Sequence, residues 1–403
     1  MKKKAFTVFL IIMLLISAAG CWNRRELNEI AILTSVGVDP GPNEKENNYI
    51  YQIVNPSALA TKGGNPNKTQ FLTIQTADKT LFSAARKSTR ELSRRLYFGH
   101  VQIFVINSKV AKEKGIKDLL DLLNRDHELR ENILILIAEN ISARELLAVQ
   151  TTLENNSGIA LQKQLENTAK NESFTRMVEL RDVINMLTSE TNSTVIPAVR
   201  LTPPIPLIEM EETQRTIKKS VIKVAGFAVF KKDKLIGYLD DMEARALNWI
   251  TDDIDKTAIV IPYQGGEHTI EVLSSKTEVK AEFKQGKPEI LLDIEIDADL
   301  GEVNGPIDVM KLSTIKEIET ATNNTVKKQI EKLIKDVKEK YKVDIFKFGE
   351  AFSRQQPKEW KKIKANWEKE FIDLTVKIKV KTKILEIGMK NKPFQIEMKE
   401  NEK

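Results

Sequence analysis

Apolar and polar positions divide the chain into one unbroken apolar run and a long remainder of shorter patterns. The unbroken run covers Ala5–Ile16 and is followed by small residues. It is shorter than the roughly 20 residues with which a helix crosses a bilayer. No later segment reaches that length without charged residues. The remainder of the chain is therefore expected to fold in water.

Strand-like and helix-like patterns alternate from residue 22 to about 195. Ile133–Ala138 is apolar throughout, which is typical of a strand buried on both faces of a sheet. Ser142 followed by Glu145 predicts a capping box at the start of a helix. Further strands are predicted at Ile30–Val38, Tyr49–Val54, Phe71–Ile74 and Val101–Ile106. Helices are predicted at Ala77–Leu96, Val110–Leu123, Ala143–Gln150, Gly158–Thr168 and Glu179–Ser189.

A β-hairpin with a charged tip is predicted after residue 220. Its strands are Val221–Phe230 and Leu235–Leu239. A short helix at Asp240–Trp249 and a long amphipathic helix at about 308–341 follow. Further strands are predicted at Ala258–Ile261, His268–Leu273, Val279–Phe283, Glu289–Ala298 and Phe371–Ile387.

These elements predict a mixed α/β chain of three domains, each a mixed β-sheet packed with helices. A stiff connector is predicted where four prolines cluster, at Pro197, Pro203, Pro204 and Pro206. The first domain is expected at 21–200, including an Asn-rich helical extension. A small middle domain is expected at 201–275 and a C-terminal domain at 276–395. Residues 1–20 are predicted to be a signal peptide and residues 396–403 a tail.

The segment from Met1 to Cys21 has the layout of a secretory signal peptide. Lys2–Lys4 precede the apolar run, and Ser17–Gly20 lead into Cys21, which is the only cysteine of the chain. Ala-Ala-Gly-Cys resembles a bacterial lipobox, in which the thiol receives a diacylglyceryl group and cleavage precedes the cysteine. The alternatives are an uncleaved anchor helix and an ordinary signal peptide with a free cysteine nearby. Acylation of Cys21 would tether an exported protein to a membrane, since two or more acyl chains anchor far more firmly than one.

Composition narrows the function classes. The chain has 403 residues, 41% of them hydrophobic and 30% charged, which is typical of a globular protein. A single cysteine excludes an internal disulfide, a zinc ribbon and an iron–sulfur cluster within one chain. The net charge of +6 falls to +3 without the three lysines of the signal peptide, because 60 basic residues then face 57 acidic ones. Nucleic acid is therefore not an expected partner.

Familiar catalytic patterns are missing from the sequence. It has no Gly-x-Ser-x-Gly and no phosphate-binding glycine loop, and its three histidines show no metal-ligand spacing. Neighbouring acids such as Asp240 and Asp241 do not by themselves indicate a pair of catalytic carboxyls, which face each other across a cleft. No catalytic residue, cofactor or metal site is expected.

The densest polar cluster contains Arg90, Arg94, Arg95 and His100. One interpretation is an anion or carboxylate site, in which Arg94, Arg95 and His100 contact a partner or a ligand. The other is structural: cationic side chains near the end of a helix that is capped by Gly99, with a buried histidine beyond it. The structural interpretation is favoured.

Two later strands carry rows of charge. The acidic row could bind calcium or be an exposed face, and consists of Asp293, Glu295, Asp297 and Asp299. The basic row could face anionic lipid or an acidic partner, and consists of Lys377, Lys379, Lys381 and Lys383. A solvated face is the favoured interpretation of both.

Several motifs occur in an order that resembles the Ger(x)C family, the lipoprotein C subunits of nutrient germinant receptors in endospore-forming bacteria. The first is Cys21-Trp22-Asn23-Arg24-Arg25-Glu26-Leu27, followed by Gly37-Val38-Asp39. The others include Ser93-Arg94-Arg95-Leu96, Gly99-His100, Gly226-Phe227-Ala228-Val229-Phe230, Glu243-Ala244-Arg245-Ala246-Leu247-Asn248-Trp249, Ser275-Lys276-Thr277 and Asp344-Ile345-Phe346-Lys347-Phe348-Gly349. The resemblance covers nearly the whole chain.

This resemblance implies a receptor subunit with three mixed α/β domains rather than an enzyme. It implies a lipid anchor at Cys21, a place on the outer face of the spore inner membrane, and integral-membrane A and B subunits as partners. The alternative is a solute-binding lipoprotein that itself captures a small germinant. A cell-wall hydrolase is a more distant alternative, since the sequence offers no convincing acid pair.

Overall fold

The computed structural model describes residues 28–55, 70–202 and 221–387, except 150, 152, 153, 155, 192 and 306. Before residue 28 it describes only Lys4 and Phe6. Cys21, almost all of the predicted signal peptide, the prolines between 203 and 206, and the predicted tail therefore lie outside the described residues.

A nine-stranded mixed sheet is built from residues 30 to 239. Its strands are β1 (Ile30–Pro40), β2 (Asn47–Val54), β3 (Phe71–Asp78), β4 (Arg95–Tyr97), β5 (Ile103–Asn107), β6 (Leu134–Ala138), β7 (Val195–Thr202), β8 (Val221–Lys231) and β9 (Lys234–Leu239). They lie in the order β3-β2-β1-β5-β6-β7-β8-β9, and β4 pairs with β1. The four strands β1, β5, β6 and β7 are parallel, whereas both flanks of the sheet are antiparallel.

Helices cover both faces of this sheet. They are α1 (Leu81–Lys87), α2 (Ser108–Glu113), α3 (Lys117–Arg125), α4 (Ala143–Ala148), α5 (Ser157–Asn171) and α6 (Leu180–Thr188). Every residue of β5 and β6 is buried, and alternate residues enter separate cores. Phe104 and Ile135 belong to one core, whereas Ile103 and Leu134 belong to the other. The prediction of a strand buried on both faces is confirmed.

A second sheet of four strands follows. Its strands, in spatial order, are β10 (Thr257–Tyr263), β11 (Gly266–Lys284), β12 (Lys287–Glu302) and β13 (Thr375–Ile384). The helices of this part are α7 (Asp241–Ile250), α8 (Leu312–Asp336), α9 (Phe348–Gln355), α10 (Pro357–Ile363) and α11 (Trp367–Asp373). The predicted apolar stripe of the long helix is buried at Ile318, Val326 and Ile330. The prediction of mixed sheets packed with helices is therefore confirmed.

Several predicted elements are wrong in extent. The strand predicted at Phe371–Ile387 begins only at Thr375, because Phe371–Asp373 belong to helix α11. The helix predicted at Ala77–Leu96 ends at Lys87, because a short 3-10 turn follows and residues 95–97 instead pair with β1. The helix predicted at Val110–Leu123 is two helices, broken at Gly115, whose φ is +86°. The strands predicted at 268–273 and 279–283 are a single strand, β11.

The two sheets share a core. Val195, Phe227 and Leu239 of the first sheet pack in the same apolar cluster as residues of the second sheet. The predicted hairpin at 221–239 completes the first sheet. Strand β10 and the first part of β11, up to residue 275, belong to the second sheet. The segment 201–275 thus contributes strands to both sheets, and its identity as a separate middle domain stays a prediction.

Candidate functional site

The described part of the first sheet begins next to strand β4. The backbone N–H of Arg95 donates to the carbonyl oxygen of Glu29 at 3.0 Å. From there β4 runs parallel to the start of β1, with Ile30 opposite Arg95. Cys21 precedes residue 28, where this part begins, by seven positions. This edge of the molecule is consequently the part closest in sequence to the predicted lipid attachment point.

An apolar cleft of about 140 Å³ lies at this edge. Helix α1 contributes Leu81, Phe82 and Ala85 to its wall, β4 and the residues after it contribute Leu96 and Phe98, and α3 contributes Leu122. The Phe82 side chain is 51% exposed although it belongs to this apolar wall. The cleft exists because α1 ends early and β4 returns to the sheet.

The rim of the cleft carries charges of both signs. An Arg95 Nη atom lies 3.0 Å from an Oε of Glu128. The Glu128 side chain is only 7% exposed, whereas that of Arg95 is 48% exposed. Arg86 lies over the ring of Phe82, with its guanidinium carbon 5.1 Å from the ring centroid. Asp126 adds a second acidic side chain to the lining. The opening is therefore polar and partly acidic around an apolar interior.

The three predicted ligand contacts do not converge. Arg95 lines the apolar cleft, whereas His100 lines a different, open cleft of about 440 Å³ together with Arg130. Arg94 lines neither of these two clefts. Arg95 and His100 thus line different clefts, and the prediction that all three side chains contact one ligand stays a prediction.

The structural interpretation of this cluster also needs correction. The residues before Gly99 form β4 and a turn rather than the end of a helix. The glycine is instead required by a close approach, since a Cβ there would lie 2.5 Å from the Tyr97 hydroxyl oxygen. His100 is exposed rather than buried, and its ring lies 5.7 Å from that of Tyr97.

The two rows of charge lie side by side. Parallel pairing places Lys379 opposite Asp293, Lys381 opposite Glu295 and Lys383 opposite Asp297. Lys379 Nζ lies 3.2 Å from a carboxylate oxygen of Asp293. Such exposed pairs contribute about 0–1 kcal/mol each to stability. The lysines therefore face acidic side chains of their own sheet, which weakens the interpretation of this row as a docking surface for lipid or an acidic partner.

Asp344, in the C-terminal part, is a buried acidic side chain whose carboxylate accepts four hydrogen bonds. One carboxylate oxygen accepts from the backbone N–H groups of Phe346 at 3.0 Å and Phe348 at 3.3 Å. The other accepts from Gly349 N–H at 2.7 Å and from the indole N–H of Trp367 at 3.1 Å. Burial raises the pKa of Asp344 to about 6, although these four donors act to lower it.

The turn around Asp344 also holds the two parts of the chain together. Its carbonyl oxygen accepts from Ser193 N–H at 2.8 Å, just before β7. Gly349 packs so closely that a Cβ there would lie 2.8 Å from Trp367 Nε1 and 3.0 Å from Thr191 Cβ. The backbone carbonyl of Asp344 and the close packing of Gly349 thus fix the contact between the start of α9 and the residues just before β7.

Helix α7 makes a second connection. Arg245 is 4% exposed, and its guanidinium donates to the carbonyl oxygen of Ala258 in β10 at 2.8 Å. It also stacks on Phe174, with the guanidinium carbon 5.2 Å from the ring centroid. Asn248 donates to the carbonyl oxygen of Ser173 at 2.9 Å. Both side chains therefore join the segment after α5 to the helix and the second sheet.

Asp39 performs the corresponding task at the start of α4. Its carboxylate accepts from the backbone N–H groups of Ala143 at 2.7 Å and Arg144 at 3.0 Å. Asn107 donates to the same carboxylate at 3.0 Å. Burial raises the pKa of Asp39 and the backbone donors oppose this shift. Asp39, Arg245, Asn248 and Asp344 all belong to the motifs singled out in the sequence, and all four stabilise the fold.

In the described ranges, no group of three or more His, Cys, Asp or Glu side chains is placed to hold a metal ion. None of the described helices is both long and apolar enough to cross a membrane.

Two family models match successive parts of the chain. A model described as "Spore germination protein N-terminal domain" matches residues 23–201. A second, described as "Spore germination B3/GerAC like, C-terminal", matches residues 225–388. The two matches leave residues 202–224 between them, a stretch that includes the connection from β7 to β8.

Curated relatives and a solved structure agree with these models. Spore germination protein KC of Bacillus subtilis strain 168 is 28% identical over 411 residues, covering 100% of both chains. Spore germination protein B3 of the same organism is 20% identical and covers 96% of this chain and 99% of its own. The crystal structure of the GerBC protein superposes with a TM-score of 0.54 at 18% identity, covering 87% of this chain and 96% of that one. At that identity the superposition shows a shared fold.

Proposed function

Because the chain belongs to the Ger(x)C family of spore germination proteins, the C subunits of germinant receptors, we propose that it acts as a non-catalytic, lipid-anchored receptor subunit. In this role it assembles with integral-membrane A and B subunits and is needed for nutrient-triggered germination. The observation that carries the proposal is the match to protein KC over the full length of both chains.

A non-catalytic role is supported by what the buried polar side chains do. The carboxylates of Asp39 and Asp344 accept hydrogen bonds from backbone N–H groups of the fold, and the Arg245 guanidinium donates to the carbonyl oxygen of Ala258. A catalytic acid or base needs instead to reach a bound reactant. The motif residues with the strongest electrostatic environment are therefore committed to the scaffold.

A lipid anchor at Cys21 is supported by the order of the N-terminal segments. A positive start, an apolar run and a small-residue stretch lead directly into the one cysteine. The described structure then starts at residue 28, seven positions after that cysteine. This spacing would hold the sheet at the outer face of the spore inner membrane, where the proposed A and B subunits reside.

Direct capture of a germinant by Arg94, Arg95 and His100 has less support than the subunit role. Arg95 and His100 line different clefts, Arg94 lines neither of them, and Arg95 is already paired with Glu128. A carboxylate ligand would have to compete with that pair. The subunit role is therefore favoured over the solute-binding alternative.

Removal of the gene tests the proposed role. Spores without this chain should lose the response to the nutrients of one receptor, and expression of the wild-type chain in trans should restore it. Germination by a trigger that bypasses nutrient recognition is the control and should be unchanged. Normal responses of the deletion strain to every nutrient that the parent strain recognises would contradict the proposal.

A further inference from the structure

The apolar cleft beside β4 has room for one aromatic side chain. Its volume is about 140 Å³. A cavity of about 150 Å³ lined by Leu, Ile and Phe is large enough to take up benzene. Its wall is formed by Leu81, Phe82, Ala85 and Leu96 among others, and half of the Phe82 side chain is exposed there. Covering this surface would remove apolar area from water, which is favourable by about 25 cal/mol per Å².

The segment that precedes the described sheet offers an occupant. Residues 22–27 read Trp22-Asn23-Arg24-Arg25-Glu26-Leu27, and Trp22 is their only aromatic residue. The segment leads to Glu29, whose carbonyl oxygen accepts a hydrogen bond from the backbone N–H of Arg95. Arg95 in turn lines the cleft. Six residues reach at most about 20 Å. The mouth of the cleft therefore lies within reach of Trp22.

Charge complementarity favours the same occupant. The cleft is lined by the acids Asp126 and Glu128 and by the arginines Arg86 and Arg95, and Glu128 is already paired with Arg95. Asp126 is therefore the acid that an arginine of the segment would meet. The segment carries Arg24 and Arg25 two and three positions after its aromatic residue, Trp22. An arginine beside the ring would consequently pair with Asp126 at the rim while the indole enters the apolar interior. Arginine suits such sites because its planar fork matches a carboxylate.

We propose that Trp22 docks into the cleft formed by α1, β4 and α3. The functional consequence rests on the proposed acylation of Cys21. Without docking, the seven residues 21–27 would link the acylated cysteine to the described sheet. With Trp22 held in the cleft, the acylated Cys21 is directly adjacent to a residue that is fixed on the protein. This edge of the first sheet then faces the bilayer in a fixed orientation, which a membrane partner can recognise.

Tryptophan fluorescence of the lipidated full chain in vesicles tests the proposal. The other tryptophans, Trp249, Trp360 and Trp367, are 0%, 5% and 6% exposed, so a Trp22→Phe variant supplies their background. The difference spectrum then reports Trp22. Aqueous iodide probes exposure to water, and lipids brominated on their acyl chains probe insertion into the bilayer. A docked Trp22 is protected from both quenchers.

Filling the cleft provides the matching variant. Ala85→Leu adds side-chain volume inside it, and Ala365→Leu makes the same change at an exposed position. In the Ala85→Leu variant the quenching of Trp22 by iodide should rise several-fold, because the indole is displaced into water. The Ala365→Leu variant should be quenched as the wild type is. The circular dichroism spectrum should be unchanged in both variants, which separates displacement of Trp22 from unfolding.

Two results would overturn the proposal. Quenching of wild-type Trp22 by brominated lipid would place the indole in the membrane interface, where tryptophans are also common. Quenching by iodide to the same extent in wild type and Ala85→Leu would show an undocked, hydrated side chain. Failure of the anchor gives a different signature: the protein would not float with vesicles, and the iodide comparison in solution would still decide whether Trp22 is docked.

Discussion

Replacing Cys21 by alanine should release the folded protein from spore membranes. The thiol is the proposed acceptor of the acyl chains, and each buried methylene adds about 0.8 kcal/mol to membrane binding. A single acyl chain already binds only marginally, so losing all of them should shift the protein to the soluble fraction. Immunoblotting of separated membrane and soluble fractions measures the effect. Nutrient-triggered germination should be reduced in parallel.

Asn23→Ala is the matched control for this substitution. It changes a residue of the same segment but leaves the acyl acceptor in place. The control should fractionate with membranes as the wild type does. If Cys21→Ala remained with the membrane and supported normal germination, lipid tethering would not be how this chain is held.

Replacing Asp344 by asparagine should destabilise the folded chain, at a cost of about 1–3 kcal/mol for each buried donor that is left without an acceptor. The carboxylate accepts two N–H donors on each oxygen, whereas an amide has only one acceptor oxygen. The NH₂ group of the asparagine would therefore leave two buried donors unsatisfied. Urea unfolding of the mature chain, followed by the fluorescence of the nearby Trp367, measures the loss.

Asp121→Asn is the control, because this side chain is 59% exposed and pairs with Arg125 one turn away. Surface changes of this kind usually stay within about 0.5 kcal/mol. An equally small effect of Asp344→Asn would show that the turn at 344–349 does not depend on the carboxylate.

The same side chain should give the wild type a pH dependence that the asparagine variant lacks. Burial raises the pKa of Asp344 from 3.8 to about 6, so the folded chain binds this proton more tightly than the unfolded chain. The stability that this proton contributes is complete below pH 3.8 and is lost as the pH rises through about 6. The stability difference between wild type and Asp344→Asn should therefore decrease as the pH rises over that interval, which urea unfolding at a series of pH values measures.

Local signals explain which elements could be predicted from the sequence. The capping box depends on two side chains three residues apart, and its mutual hydrogen bonds measure 3.0 and 3.1 Å. The uniform apolar run at 133–138 likewise needs only its own composition to indicate burial on both faces. Such features are decided within a few residues and do not depend on distant parts of the chain.

Non-local pairing explains the elements that were wrong. The helical spacing between residues 77 and 96 continues past Lys87. Residues 95–97 nevertheless form a strand, because they gain backbone hydrogen bonds by pairing with residues 30–32 of β1, which lie much earlier in the sequence. Gly115 likewise breaks a helix that its neighbours would continue, because the N–H of Ile116 donates to the carbonyl oxygen of Asp233. Tertiary contacts override helix propensity at both places.

The charged rows illustrate a signal that was present but incomplete. Lysines on one strand and acids on another, both alternating with period two, are expected to pair if the strands are neighbours. The sequence does not show that β13 lies parallel to β12, since the four helices α8–α11 separate the two strands along the chain. From the sequence, Lys379 and Asp293 therefore look like members of two separate charged surfaces. In the structure they form an ion pair.

The candidate site divides in the same way. A lipid attachment point at Cys21 is a prediction from residues 2–21, since signal peptides are recognised by their local order. The apolar cleft could not be found in this manner, since its lining comes from α1, β4 and α3 between residues 81 and 129. Arg94, Arg95 and His100 look clustered in the sequence, but Arg95 at the start of β4 and His100 in the turn after it line different clefts.

Crosslinking of the native lipidated protein in isolated spore inner membranes tests the central claim most directly. Mass spectrometry of the crosslinked peptides identifies the proteins that the chain touches. A receptor subunit should give crosslinks to one integral-membrane A subunit and one B subunit, and these should disappear in spores that lack either partner. Crosslinks to other proteins only, with both subunits present in the same membranes, would contradict the account.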